Sequence, residues 1–157
     1  MIRIIFYLIK GIHLYVVNKV QLNNGIQSIL CVIDFSESSV KALKWAGMMA
    51  VNLNAHLTII HPYRLNKLDK KEDMVLAKKN IDVDALKNFE KIASDLFKSG
   101  GLSYDFHVEV GFIQDRVHEH SIKKEILFMV LGKKLASNNE ILNELMNQIE
   151  VPLVICS

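Results

Sequence analysis

From Ile26 onward the chain alternates short, unbroken apolar runs with stretches whose apolar residues recur at helical spacing. Ser28 to Asp34 (SILCVID) is rich in branched side chains, the pattern of a parallel strand buried on both faces. Asp34-Phe35-Ser36 then opens a helix. Ser36 can cap it, Glu37 suits the positive end of its dipole, and Val40, Leu43, Gly47, Ala50 and Leu53 fall on one face. Asn54 ends it. A second strand follows at Ala55 to His61, stopped by Pro62, whose missing N–H cannot serve a central ladder. Residues 66 to 99 are charged. Their second half carries Ala85, Leu86, Phe89, Ile92, Ala93, Leu96 and Phe97 as an amphipathic helix closed by Gly100-Gly101, and the less periodic first half reads as a loop. Ser103 to Val110 alternates strictly, which predicts a strand near a sheet edge with Asp105, His107 and Glu109 on an exposed face. A short helix over Phe112 to Lys124, a strand over Ile126 to Leu131 ended by Gly132, a helix over Asn138 to Ile149 and a strand over Val151 to Cys156 complete the pattern. Five strands alternating with four helices predict an α/β fold: a doubly wound, five-stranded parallel sheet with helices on both faces.

A length of 157 residues suits one domain, and a composition that is 50% hydrophobic and 23% charged excludes a disordered chain. With a net charge of +2 and its basic residues dispersed among acidic ones, the chain offers no electrostatic footprint for nucleic acid. Two cysteines, Cys31 and Cys156, without a CxxC or CxxH neighbour, point to a reducing, cytoplasmic compartment and away from structural zinc. The six histidines are scattered and read as surface or packing residues; His118 and His120 would sit about 200° apart on a helix and cannot share a metal. No Cys-His pair or carboxylate pair suggests a nucleophile or an acid-base team, so no enzyme is expected.

Residues 1 to 24 stand apart from residues 25 to 157. Met1 to Val17 is apolar but is interrupted by Arg3, Lys10 and His13, and it is short of the roughly 20 clean residues that a membrane span needs. No small-x-small cleavage site precedes Asn18. Three readings stand: a peripheral membrane or partner-binding segment, an extra element packed on the domain, or upstream sequence included by a mis-called start, which is the one preferred.

The stretch ILCVIDFSESSVKALKWAGMMA (29 to 50) resembles the opening of a universal stress protein, and the resemblance continues through LTIIHP (57 to 62), EVG (109 to 111), ILFMVLG (126 to 132) and VPLVI (151 to 155). It implies a strand order of 3-2-1-4-5 and a ligand crevice where that order reverses, between the first and fourth strands. Asp34, Phe35 and Ser36 would bound it on one side and Gly132, Lys133 and Lys134 on the other. The resemblance also implies a homodimer in which the last strand, through Val151, Leu153, Val154 and Ile155, pairs with its own copy at an open edge; the competing reading is that the apolar Met1 to Val17 segment lies along the same edge and leaves the protein monomeric.

Nucleotide-binding members of that family carry Gly-x2-Gly-x9-Gly-[Ser/Thr] after the fourth strand, because glycines let backbone N–H groups cradle phosphates. Counted from Gly132, the later glycine positions fall on Leu135 and Leu145, and only 19 residues separate Gly132 from Pro152. The loop is deleted. The family's adenine-contacting valine falls by spacing on Pro62, which has no N–H to offer. Asp34 reads as a capping or turn residue, and Lys133 and Lys134 as exposed loop lysines. The expectation is therefore a regulatory or interaction protein of the stress response, partnering itself and unidentified proteins, with no cofactor. The alternative is a switch that still binds ATP or AMP through Asp34 and the two lysines.

Overall fold

The computed structural model describes residues 5–9, 12–16, 27–65, 71–98 and 100–157. At its centre lies β3 (Ser28–Val32), every residue of which is buried. It is flanked in parallel by β4 (His56–Tyr63) and β6 (Ile126–Gly132). Beyond β4 lies β5 (Tyr104–Val110), and beyond β6 lies β7 (Leu153–Cys156), both again parallel. Counted within these five strands, the order is the expected 3-2-1-4-5. Because successive strand residues point to opposite faces, β3 feeds two layers. Ile29, Cys31 and Ile33 join Ala42, Leu43, Ala46 and Ala50 of α1 (Glu37–Leu53) and Phe89 and Ala93 of α2 (Lys71–Leu96). Leu30 and Val32 join Val117 of α3 (Ile113–Lys123) and Leu145 of α5 (Asn139–Gln148). A four-residue turn of helix, α4 (Lys133–Ala136), lies between β6 and α5 and is absent from the sequence pattern.

The sheet has seven strands, because β1 (Ile5–Ile9) and β2 (Ile12–Val16) form a hairpin that extends it past β7. Ile12, His13, Leu14 and Tyr15 pair antiparallel with Cys156, Ile155, Val154 and Leu153. This corrects the expected open edge at Val151, Leu153, Val154 and Ile155 in favour of the competing reading, in which the N-terminal segment covers it. The last three lie in an interior strand, and Val151 precedes it. The physical reason is local concentration: an apolar strand without charged guards pairs with whatever strand-forming segment is nearest, and one tethered in the same chain outcompetes a second molecule.

Pro62 does not stop its strand, which runs on to Tyr63. Ile33 N–H donates to the Ile60 carbonyl and Gly111 N–H to the Tyr63 carbonyl, so even-numbered residues of β4 face β3 and odd ones face β5. Pro62 therefore turns its missing N–H towards the side where β3 has already ended, and no ladder bond is lost. The first half of residues 66 to 99 also departs from expectation, since Lys71 to Leu96 is one helix of 26 residues. Glu72 and Asp73 suit its N-terminal dipole. Further along the helix, the Asp82 carboxylate accepts from Tyr63 Oη at 2.8 Å and from Lys78 Nζ at 2.5 Å. Burial and that bond together push the Tyr63 hydroxyl up to about 12. In α1, Leu43, Gly47 and Ala50 are buried as predicted, Leu53 is exposed, and Asn54 closes the helix in the left-handed conformation.

β5 is an edge strand, as its alternation suggests, but its polar stripe is not a plain solvent face. Lys124 Nζ donates to both Asp105 Oδ2 and Thr58 Oγ1 at 2.8 Å. His56 Nε2 lies 3.2 Å from Asp105 Oδ1, His107 Nε2 lies 3.0 Å from Oδ2, and His120 Nε2 lies 2.9 Å from Glu109 Oε1. Burial pushes the Asp105 carboxyl up, but the Lys124 and His107 contacts and charges outweigh it and hold the group well below the usual carboxylate range. Folding lowers this pKa, so the stabilisation is complete above the ordinary value of about 3.9 and is lost as pH falls below it towards the folded-state value. Urea titrations at pH 7 and pH 3 should show Asp105→Asn losing stability at pH 7, with the difference from the parent chain already narrowing at pH 3. A constant difference between the two pH values would refute the assignment.

Candidate switch-point crevice

At the carboxyl end of β3 the chain must leave the sheet and enter α1 within four residues. Asp34 holds that turn: its Oδ1 accepts from Ser36 N–H at 3.0 Å and from the Ser36 hydroxyl. Ser36 is the N-cap of α1 and accepts from Ser39 N–H at 3.4 Å, while Ser39 Oγ donates back to the Ser36 carbonyl at 2.9 Å. Between them Phe35 adopts φ +60°, a left-handed conformation that a bulky side chain rarely takes. Burial raises the Asp34 pKa, but the bonds from Ser36 and Ser39 and the charge of Lys134, 3.6 Å away, leave it lowered overall. Turn chemistry thus engages Asp34 Oδ1, while Oδ2 faces the Lys134 ammonium.

The opposite wall is closed by a close backbone approach. A Cβ on Gly132 would lie 2.5 Å from Ser39 N and 2.6 Å from the Ser38 carbonyl carbon, so β6 ends directly against the first turn of α1. Helix α4 begins at the next residue, and Lys134 N–H donates to Ser38 Oγ at 3.1 Å. The Phe35 ring is turned under the crevice onto His61, 4.7 Å between centroids, and the His61 Nδ1 lies 2.9 Å from the Ile33 carbonyl oxygen.

Of the residues singled out in the sequence, Asp34, Ser36, Gly132 and Lys134 come together around the start of α1. Lys133 joins Lys134, Ser36, Ser38 and Lys41 around a shallow, open depression of about 450 Å³. Pro62 is not part of that rim; it follows His61, the residue that the Phe35 ring packs on, in β4. Sequence reasoning missed Ser38, Ser39 and His61. The run Ser36-Glu37-Ser38-Ser39 carried the signal for the first two, since serines crowded at a helix start compete for its free N–H groups. Burial pushes the Cys156 thiol up to about 11 and holds Cys31 protonated more strongly still. No group of three or more His, Cys, Asp or Glu side chains among the described residues is placed to hold a metal ion. No helix among the described residues is long and apolar enough to cross a membrane.

A five-strand parallel core in the order 3-2-1-4-5, with a crevice at its switch point built from an Asp-held turn and a strand-terminal glycine, defines a doubly wound α/β protein. Within that class the chain belongs to the universal stress protein family, whose sequence profile matches residues 25–154. The universal stress protein UspA from Lactobacillus plantarum superposes with a TM-score of 0.69 at 14% identity, covering 86% of this chain and 100% of that one. A universal stress protein in complex with cAMP gives 0.62 at 17% identity, over 83% and 96% of the two chains. One from Archaeoglobus fulgidus in complex with dAMP gives 0.59 at 15% identity, over 85% and 98%. At such identities the likeness is one of fold. No curated protein sequence matches this chain.

Proposed function

We propose that this chain is a non-catalytic regulatory or interaction protein of the stress response, at work in the cytoplasm, whose switch-point crevice does not hold ATP. The observation that carries this reading is the closure at Gly132. A phosphate cradle needs backbone N–H groups free to converge on an anion, whereas here the strand end abuts Ser38 and Ser39 and the Lys134 N–H is given to Ser38. The missing glycines and the proline at position 62 act in the same direction. Two similar proteins are in complexes with cAMP and dAMP. A second reading, an ATP- or AMP-binding switch, draws on them and on Lys41, Lys133 and Lys134 around the depression at the start of α1. Calorimetry with Mg-ATP separates the two readings. Little or no heat is expected at tens of micromolar protein, and a dissociation constant in the low micromolar range, or nucleotide retained through purification in native mass spectrometry, would overturn the proposal.

A further inference from the structure

Helix α2 is longer than the sheet it covers. Its 26 residues span about 39 Å, whereas the seven residues of β5 span about 23 Å. Ala85, Phe89 and Ala93 press on the sheet. A second row, turned partly away from the sheet, is apolar yet open to solvent: Val75 is 63% exposed, Leu76 58%, Val83 39% and Leu86 46%. At about 100° per residue, these four share an arc of roughly 100° with Lys79 and Glu90. Neither Lys79 nor Glu90 forms an ion pair among the described residues. Near the far end of the same helix, Phe89, Ala93, Ser94, Phe97 and Tyr104 line a depression of about 490 Å³.

We infer that this row of α2 is the contact of a homodimer, in which α2 packs antiparallel against α2 of a second copy about a two-fold axis. One register accounts for each of these features together. With the axis crossing the helix between Asp84 and Ala85, Val83 faces Leu86 of the second copy and forms the apolar centre. Lys79 then faces Glu90 of the second copy, twice by symmetry. Leu76 and Val75 face Ala93 and Ser94, so the two most exposed apolar side chains of this row reach the depression beside Phe89 and Phe97 of the other copy. Knob meets hollow and cation meets carboxylate in a single placement, which is the self-complementarity that a two-fold contact requires. The surface lies on the side of the sheet away from β7, which the hairpin covers, so it does not compete with the chain's own strands.

Light scattering of the full chain at tens of micromolar tests this. A dimer is expected, and a monomer at that concentration overturns the proposal. Leu76→Glu, at an exposed position, should yield a monomer with an unchanged thermal melt. Lys79→Glu and Glu90→Lys should each weaken the dimer by roughly tenfold, since each turns two attractions into repulsions. Combined, the two reversals should restore the parent affinity. A dimer indifferent to Leu76→Glu, or a charge-swapped double variant no tighter than the single variants, would place the contact elsewhere and overturn the assignment.

Discussion

Gly132→Ala is expected to destabilise the fold by about 3 kcal/mol, the upper part of the range for overpacking a well-filled interior. The cause is space and not backbone conformation. Gly132 has φ −75°, which any residue adopts, but the added methyl would meet the Ser39 nitrogen at 2.5 Å and the Ser38 carbonyl carbon at 2.6 Å. Both are backbone atoms in the first turn of a 17-residue helix that is anchored by buried Leu43, Ala46 and Ala50, so they cannot swing aside as a side chain would. Either α1 moves off the sheet or β6 shifts in register. Gly100→Ala is the control. It sits at φ +68° with nothing within 4 Å of the new Cβ, so it should cost only about 1 kcal/mol of backbone strain. Urea unfolding of the three proteins measures the difference. Equal costs at the two sites would mean that the approach at Gly132 relaxes freely, and the closed crevice would lose its physical basis.

The parallel core was legible because each of its strands is a continuous apolar run or a strict alternation, and both patterns are fixed by which faces are buried. Ser28–Val32, Ile126–Gly132 and the alternating Tyr104–Val110 appear where those patterns put them. Position along a ladder is harder to read. Pro62 stops a strand only if its missing N–H faces a partner, and that depends on where β3 ends, a tertiary fact with no local signal. The first half of α2 was missed because a helix that overhangs its sheet buries little there, and the periodicity that marks helices records burial. Much the same holds for the polar stripe of β5. Alternation places Asp105, His107 and Glu109 on one face, but only the fold brings Lys124, His56 and His120 over it. In the crevice, Asp34 and Ser36 were readable as turn and cap from their residue types alone, whereas the closure by Gly132 needs the distance to α1.

Removing the first 21 residues, so that the chain starts at Leu22, is expected to leave a folded protein that self-associates beyond the state of the full chain. Among the described side chains both apolar layers are built from Ile29 onward, and the family profile begins at residue 25, so the five-strand core should still form. What is lost is the cover on β7. Ile12 to Tyr15 pair with Leu153 to Cys156, and without them that strand presents its free N–H and C=O groups with no charged residue among its four to turn another strand away. Hydrogen bonds at a sheet margin contribute about 1 kcal/mol each. The melting midpoint should therefore fall by less than about 10 °C, given a few degrees per kcal/mol for a chain of this size. Association should change more. If α2 forms one two-fold contact, a freed β7 supplies a second, and two different self-complementary contacts on one chain build species larger than a dimer. Leu14→Pro in the full chain offers a version without deletion, since it takes a ladder donor from the middle of β2 and should unseat the hairpin to the same effect. Light scattering and thermal melts of the three proteins decide the matter. A truncated chain of the same size as the parent would show that β7 needs no cover, and a truncated chain that fails to fold would make the hairpin a part of the core.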